Sequence, residues 1–334
     1  MSEHYLDNSA TTQVLRPVAE RALELMVEEY GNPSSLHTRG FRARQQVEEA
    51  RALLAQRLGA QPEEVFFTSG GTEANNLAMF GAAQARKRLG NKIVTTAAEH
   101  DSILNTCHEL ERQGFQVVYL KPDGEGHLSE QALADAIDGS TILVSVMLVN
   151  NETGAIFPVE AAARAIRRNK APALLHVDAV QGFGKLPFTV KKLGADLLTL
   201  SGHKIHAPKG IGALYIRSGL KLKPFVMGGG QESGLRSGTE PTAQIAAFAK
   251  ACELGLQRRE ADIAHMKELK EYTLSRIAAE VPQVTPVVLG DAPHVLALTM
   301  EGYKSEVLVR VLGDRGICVS AGSACHRGKP SHVY

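Results

Sequence analysis

Short apolar runs rich in β-branched residues recur through the first two thirds of the chain, at 65–68, 93–96, 117–120, 141–149, 173–177, 197–200 and 213–216. Several are apolar throughout, without the alternation that one wet face imposes, so they read as strands covered on both sides. Between them, segments such as 73–88, 130–137 and 159–168 carry apolar residues at helical spacing. Strands alternating with helices predict an α/β domain built on a mostly parallel, mixed sheet. After about residue 250 the pattern changes. A long charged helical stretch, roughly 252–279, leads to an apolar run at 294–299, a helix near 305–313 and a short strand at 317–319. These predict a smaller α+β domain, and the expected division is a large domain of residues 12–250 and a small one made of 1–11 and 251–334. No internal repeat, low-complexity tract or long linker interrupts the chain.

Composition narrows the function classes without choosing one. The 334 residues are 44% hydrophobic, and 37 basic against 36 acidic side chains leave a formal charge of +1. That balance gives no electrostatic footprint for direct nucleic-acid binding, and no apolar run reaches the length of a membrane span. The start, Met1-Ser2-Glu3-His4, lacks the basic-then-apolar pattern of a secretory leader, so a cytoplasmic protein is expected. The four cysteines, Cys107, Cys252, Cys318 and Cys325, show no C-x-x-C spacing, which argues against a disulfide framework and against a structural metal site.

Chemistry enters at two strand ends. Ser201-Gly202-His203-Lys204 follows the run 197–200, and Asp178-Ala179-Val180-Gln181 follows the run 173–177. Singly, a lysine there is usually a solvated charge and an aspartate a cap or turn former. Together they match the needs of pyridoxal 5′-phosphate, whose aldehyde is held by a lysine amine and whose pyridinium nitrogen is partnered by a carboxylate. Thr68-Ser69-Gly70-Gly71-Thr72-Glu73 adds a strand-to-helix turn with two glycines, where the backbone can approach a ligand and free N–H groups can face an anion. A Gly-Gly turn alone more often just reverses the chain. Ser201 and His203 are available as further donors.

Three further motifs stay open on spacing alone. In Glu99-His100-Asp101-Ser102 the imidazole either lies against the pyridine ring and moves protons or caps the following helix, and spacing favours the cap. Asn150 and Asn151 are turn formers or ligand contacts. Cys325 lies in a small-residue loop, Ser320-Ala321-Gly322-Ser323-Ala324-Cys325-His326-Arg327-Gly328, whose basic neighbours favour the thiolate. A free cysteine is otherwise usually buried and inert. Cys318, inside Ile317-Cys318-Val319, fits that description and Cys325 does not.

Taken in order, Tyr5-Leu6-Asp7-Asn8-Ser9-Ala10-Thr11-Thr12, Gly31-Asn32-Pro33-Ser34-Ser35, Ser69-Gly70-Gly71-Thr72-Glu73-Ala74-Asn75-Asn76, Glu99-His100, Asn150-Asn151-Glu152, Asp178-Ala179-Val180-Gln181, Ser201-Gly202-His203-Lys204, Arg236-Ser237-Gly238-Thr239 and Gly322-Ser323-Ala324-Cys325 resemble the cysteine desulfurases of the NifS/IscS type. The resemblance spans nearly the whole chain, and the cysteine loop separates this group from ordinary aminotransferases. It implies the type I fold of pyridoxal-phosphate transferases and a homodimer acting on L-cysteine. It implies Lys204 as the cofactor lysine and the base for the substrate α-proton, Asp178 beside the pyridine nitrogen and Gln181 beside the ring hydroxyl. It places Gly71, Thr72, Ser201 and His203 on the phosphate, joined by Thr239 of the other subunit. His100 would stack on the ring and assist proton transfer, and Asn151 would contact cofactor or substrate.

Cys325 would take the sulfur as a persulfide, leave alanine, and deliver to a scaffold or other acceptor protein serving iron–sulfur cluster, thio-cofactor or thiolated-RNA synthesis. Whether Cys325 also ligates an iron–sulfur cluster shared with a partner stays open on the sequence. The resemblance further implies a segment past Tyr334 that completes the small domain and holds an arginine for the substrate carboxylate, a role to which no residue up to Tyr334 is assigned. His326-Arg327-Gly328-Lys329 replaces a Ser/Thr-rich stretch of many relatives. Other readings are a selenocysteine lyase, an aminotransferase-like enzyme, or a cofactor-binding scaffold without turnover.

Overall fold

A computed structural model describes residues 3–322. The elements run β1 (His4–Tyr5), α1 (Arg16–Val27), α2 (Thr38–Leu58), β2 (Val65–Thr68), α3 (Gly71–Arg86), β3 (Lys92–Thr96), α4 (Asp101–Arg112) and β4 (Gln116–Leu120). They continue as α5 (Glu130–Ala136), β5 (Thr141–Met147), α6 (Val159–Arg168), β6 (Leu174–Asp178), α7 (Val190–Leu193), β7 (Leu197–Ser201) and β8 (Gly212–Ile216). The last are α8 (Thr242–Glu280), β9 (Val284–Val288), β10 (Ala297–Met300), α9 (Ser305–Gly313) and β11 (Ile317–Cys318).

The central sheet has seven strands in the order β2-β8-β7-β6-β5-β3-β4, and β8 alone runs against its neighbours. This is the mostly parallel mixed sheet that the apolar runs predict. Burial on both faces is literal: every residue of β5, β6, β7 and β8 is buried. Successive residues still alternate between two cores, with Leu174, Leu197 and Leu214 on the side of Ala74, Leu77 and Ala78 of α3, and Leu175, Leu198 and Ala213 on the other. The register aligns Met147 with Asp178 and Asp178 with Thr199, so the carboxyl ends of β5, β6 and β7 form one edge. Ligands in open α/β sheets bind at that edge.

Two elements differ from the sequence expectation. The strand expected over 141–149 leaves the ladder at Met147, because Asn150 folds a turn with its Oδ1 accepting from the backbone N–H of Glu152 and Thr153, both at 2.9 Å. Val149 instead makes an isolated bridge to Ile156. The long helix begins at Thr242, well before 252, since Ala243, Ile245, Ala247, Phe248 and Ala251 are buried against α1 and α2 and show no polar face. Outside the main sheet, β9 pairs antiparallel with β10, and β1 pairs parallel with β11, which ties the start of the chain to the segment before the cysteine loop. Among the described residues, no helix is long and apolar enough to cross a membrane.

Candidate active site

The carboxyl edge of the sheet closes around a cavity of about 240 Å³, lined by residues that follow five different strands. β2 supplies Gly71 and Thr72 through α3, β3 supplies His100, β5 supplies Asn151, β6 supplies Asp178 and Gln181, and β7 supplies Ser201, His203 and Lys204. Ser9 and Ala10 of the amino-terminal segment form another wall. A larger groove of about 430 Å³, beside Arg44, Arg51 and Glu232, contains none of these residues.

Lys204 follows β7 on a single helical turn, and its Nζ donates to the backbone oxygens of Ser9, at 2.5 Å, and Ala10, at 2.7 Å. The amino-terminal segment is held there by Thr12, whose N–H and Oγ1 both donate to the carbonyl of His203, at 2.9 and 3.0 Å. Asp178, 5% exposed, accepts from Asn75 Nδ2 at 2.8 Å on one oxygen and from Val180 N–H at 2.9 Å on the other. Asn75 therefore fixes the carboxylate plane. It sits one turn into α3 from Gly71, on the helix face turned to the sheet. That spacing was the available signal for a residue to which sequence reasoning assigned no role.

His100 makes the cap that its spacing favours. It is the N-cap of α4, its Nδ1 accepting from Ser102 N–H at 3.1 Å, and it also lines the cavity. Because Nδ1 takes that N–H, the neutral ring carries its proton on Nε2. His203 approaches Thr11 Oγ1 at 3.1 Å, and burial, reinforced by the charge of Lys204, pulls its imidazole down to about 4. It is neutral at pH 7.

Glu99, next to His100, is fully buried. Its Oε1 accepts from Thr96 Oγ1 at 3.0 Å and from Met147 N–H at 2.8 Å, so it clasps the ends of β3 and β5. Burial pushes its carboxyl up to about 8, against the pull of the Met147 N–H. Between about 4.5, its ordinary value, and about 8 the folded protein holds a proton that the unfolded chain has lost. Stability therefore falls as pH rises through that window. Glu99→Gln keeps the accepting oxygen and removes the titration. It is expected to raise stability at pH 8 by roughly 1–3 kcal/mol and to change little at pH 4.5. Urea midpoints of the two proteins at both pH values check this, and equal midpoints at pH 8 would refute it.

The cavity suits pyridoxal phosphate on its own geometry. A Cβ on Gly71 would lie 3.0 Å from Val180 Cγ2 and 3.4 Å from Ser201 Cβ, so only glycine leaves the first turn of α3 open to an anion. An amine, a carboxylate, an imidazole and a carboxamide converge beside that turn. Thr239 is exposed and does not line the cavity of its own chain. Cys325 lies outside the described residues, as does its reading as a cluster ligand. Among those described, Cys107 and Cys252 are buried free thiols, and burial pushes Cys252 up to about 12, which suits inert packing.

A mixed sheet with a lysine, an aspartate and an open helix start at its carboxyl edge defines a pyridoxal-phosphate enzyme of the type I fold. Residues 4–334 match the class V aminotransferase family, aminotransferases that depend on pyridoxal phosphate. The chain is 42% identical over 339 aligned residues to the cysteine desulfurase of Trichormus azollae, covering all of this chain and 84% of the relative. It is equally 42% identical to a putative cysteine desulfurase, IscS 1, of Bacillus subtilis, covering all of this chain and 88% of that one. Among solved structures, a NifS-like protein superposes with a TM-score of 0.94 at 36% identity, over 99% of this chain and 88% of its own. The protein SspA in complex with cysteine does so with 0.85 at 35% identity, over 98% and 92%. The chain belongs to the class V aminotransferase family, in its cysteine desulfurase group of the NifS/IscS type.

Proposed function

We propose that this protein is a cytoplasmic, homodimeric cysteine desulfurase that releases alanine from L-cysteine and carries the sulfur as a persulfide on Cys325 to an acceptor protein for iron–sulfur cluster, thio-cofactor or tRNA synthesis. The observation that carries the reading is the convergence of Lys204, Asp178, His100 and the open start of α3 on one cavity. The structural relative SspA, solved in complex with cysteine, supports the substrate.

Pyridoxal phosphate supplies an electron sink for charge developing on the substrate α-carbon. Lys204 would hold the cofactor aldehyde and take the substrate α-proton on Nζ. Asp178, with its two oxygens steadied by Asn75 and Val180, would partner the pyridine nitrogen. Gly71, Thr72, Ser201 and neutral His203 would hold the phosphate, while Gln181 would meet the ring hydroxyl and Asn151 would contact cofactor or substrate. His100 would assist by giving or taking a proton at Nε2. The thiolate of Cys325 would attack the substrate sulfur. A sulfur–sulfur bond would form as the carbon–sulfur bond breaks, the β-carbon keeping the electron pair and taking a proton, and Lys204 would return a proton to the α-carbon to give alanine.

The dimer reading is supported by Thr239, exposed on its own chain, and by large apolar side chains left in solvent at Tyr30, Leu36, Phe41, Phe225 and Met227. In the dimer Thr239 completes the phosphate site of the other copy. The division into a large domain of residues 12–250 and a small one of 1–11 and 251–334 belongs to the same proposal, and the β1–β11 pairing supports it.

The test is product analysis from L-cysteine with pyridoxal phosphate and a thiol reductant. Equal amounts of alanine and sulfide are expected. Turnover of selenocysteine alone would replace the reading with a lyase, and alanine formed only from pyruvate and an amino donor would replace it with an aminotransferase.

A further inference from the structure

The loop between β9 and β10 reaches the site through Gln181. His294, on that loop, places Nε2 at 3.3 Å from Gln181 Oε1, and Lys185 places Nζ at 3.4 Å from the same oxygen. A backbone carbonyl only accepts, so the end of the amide that faces Ser9 is its NH₂ and Oε1 is the end left to accept. Gln181 Nε2 donates to the carbonyl of Ser9 at 2.9 Å, the same oxygen that receives Lys204 Nζ. The second N–H of the amide remains for the cavity that Gln181 lines.

The loop carrying His294 is clamped in place. Gly290 lies so close to the turn at Thr153 and Gly154 that a Cβ there would sit 2.3 Å from backbone atoms. Ala292 N–H donates to Gly154 O at 2.9 Å, and Lys270 of α8 donates to the carbonyls of Gly290 and Ala292, at 2.5 and 3.0 Å. The donation to Gln181 fixes His294 as the Nε2–H tautomer, and among the described residues its buried Nδ1 has no hydrogen-bond partner. Burial and the neighbouring Lys185, Lys270 and Lys204 hold this imidazole well below its ordinary range. It stays neutral where protonation would bury an unpaired N–H among cations. Burial, with the charge of Lys204, also pulls Lys185 down to about 7.

We propose that His294 and Lys185 are positioning residues that pin the Gln181 amide with one N–H toward the cofactor's ring oxygen, coupling the β9–β10 loop to Lys204 through the Ser9 carbonyl. The proposal rests on the pyridoxal-phosphate reading of the cavity. Removing either donor frees the amide to turn its oxygen toward an anionic ring oxygen. Removing Lys185 also takes a cation away from Lys204. Both changes make the Lys204–cofactor linkage easier to protonate, so both raise the pH midpoint of the bound cofactor's absorbance change.

The experiment compares His294→Ala, His294→Asn and Lys185→Met with the parent protein by pH titration of the bound-cofactor spectrum and by the Kd for pyridoxal phosphate. For His294→Ala and Lys185→Met the midpoint is expected to rise by about half a unit or more, and the Kd by about three- to tenfold, the scale of one lost hydrogen bond. His294→Asn, which keeps an N–H donor, is expected to restore most of both. Unchanged midpoint and Kd in folded His294→Ala and Lys185→Met proteins would overturn the proposal while leaving the cofactor reading intact. A parent protein that stays colourless with pyridoxal phosphate would overturn the cofactor reading itself, and the proposal with it.

Discussion

Lys204→Ala is expected to lower alanine release from L-cysteine by about 10⁴-fold or more, through the combined loss of the cofactor linkage and of the base for the α-proton. The geometry argues that no neighbour substitutes. Among the described residues, Lys185 is a half-buried lysine beside the cavity residue Gln181, and its Nζ is engaged with that side chain. Part of the effect is structural, because Nζ also ties down Ser9 and Ala10. Lys204→Gln separates the two roles, since its amide retains a donor for those carbonyls. It is expected to bind pyridoxal phosphate without the absorbance of a covalent linkage and to be as inactive as the alanine variant. Alanine release within tenfold of the parent from either variant would remove Lys204 from the chemistry.

Cys325→Ala is expected to abolish reductant-dependent sulfide release while leaving the cofactor spectrum and cofactor affinity of the parent. The reason is a division of labour. Lys204, Asp178, Asn75 and His100 line the cavity on strand ends and helix starts, whereas Cys325, the proposed sulfur acceptor, comes after β11 in the chain. Loss of the proposed nucleophile leaves those cavity-lining side chains unchanged. Mass spectrometry of the parent after one turnover should show one added sulfur on the peptide containing Cys325 and none on Cys107 or Cys252, which are buried. Sulfide release by Cys325→Ala at the parental rate would exclude persulfide chemistry at this residue and favour a lyase.

Much of the framework was legible in the chain because buried parallel strands demand unbroken apolar runs, and those runs end where chemistry begins. β6 and β7 were read within a residue of their observed limits, and the polar motifs that follow them, Asp178 with Gln181 and Ser201 with Lys204, line one cavity. Helices α1 and α2 carried weaker signals. α2 has a mixed polar surface and carries Gly40 in its first turn, packed against Ser35 where a Cβ would not fit. The start of α8 was missed for the opposite reason: alanines and Phe248 are buried on all sides and leave no polar stripe to count.

The candidate site divides in the same way. Residue types that are rare at strand ends, a lysine, an aspartate and paired glycines, were visible locally, and the order of motifs tied them to one family. Their mutual geometry was not local. Asn75 meets Asp178 across 103 positions of chain, Lys204 meets Ser9 across 195, and His294 meets Gln181 across 113. No periodicity encodes such separations. They follow from the strand order, which folds the β3 and β5 ends beside β6 and β7, and from the clamp that seats the β9–β10 loop on the turn at Gly154. The α/β class, the residue types at the strand ends and the family were legible in the chain alone. Only the tertiary structure decided that His100 is both cap and cavity wall, that Glu99 is a buried acid, and which way the Gln181 amide faces, because each depends on burial and on partners supplied by distant segments.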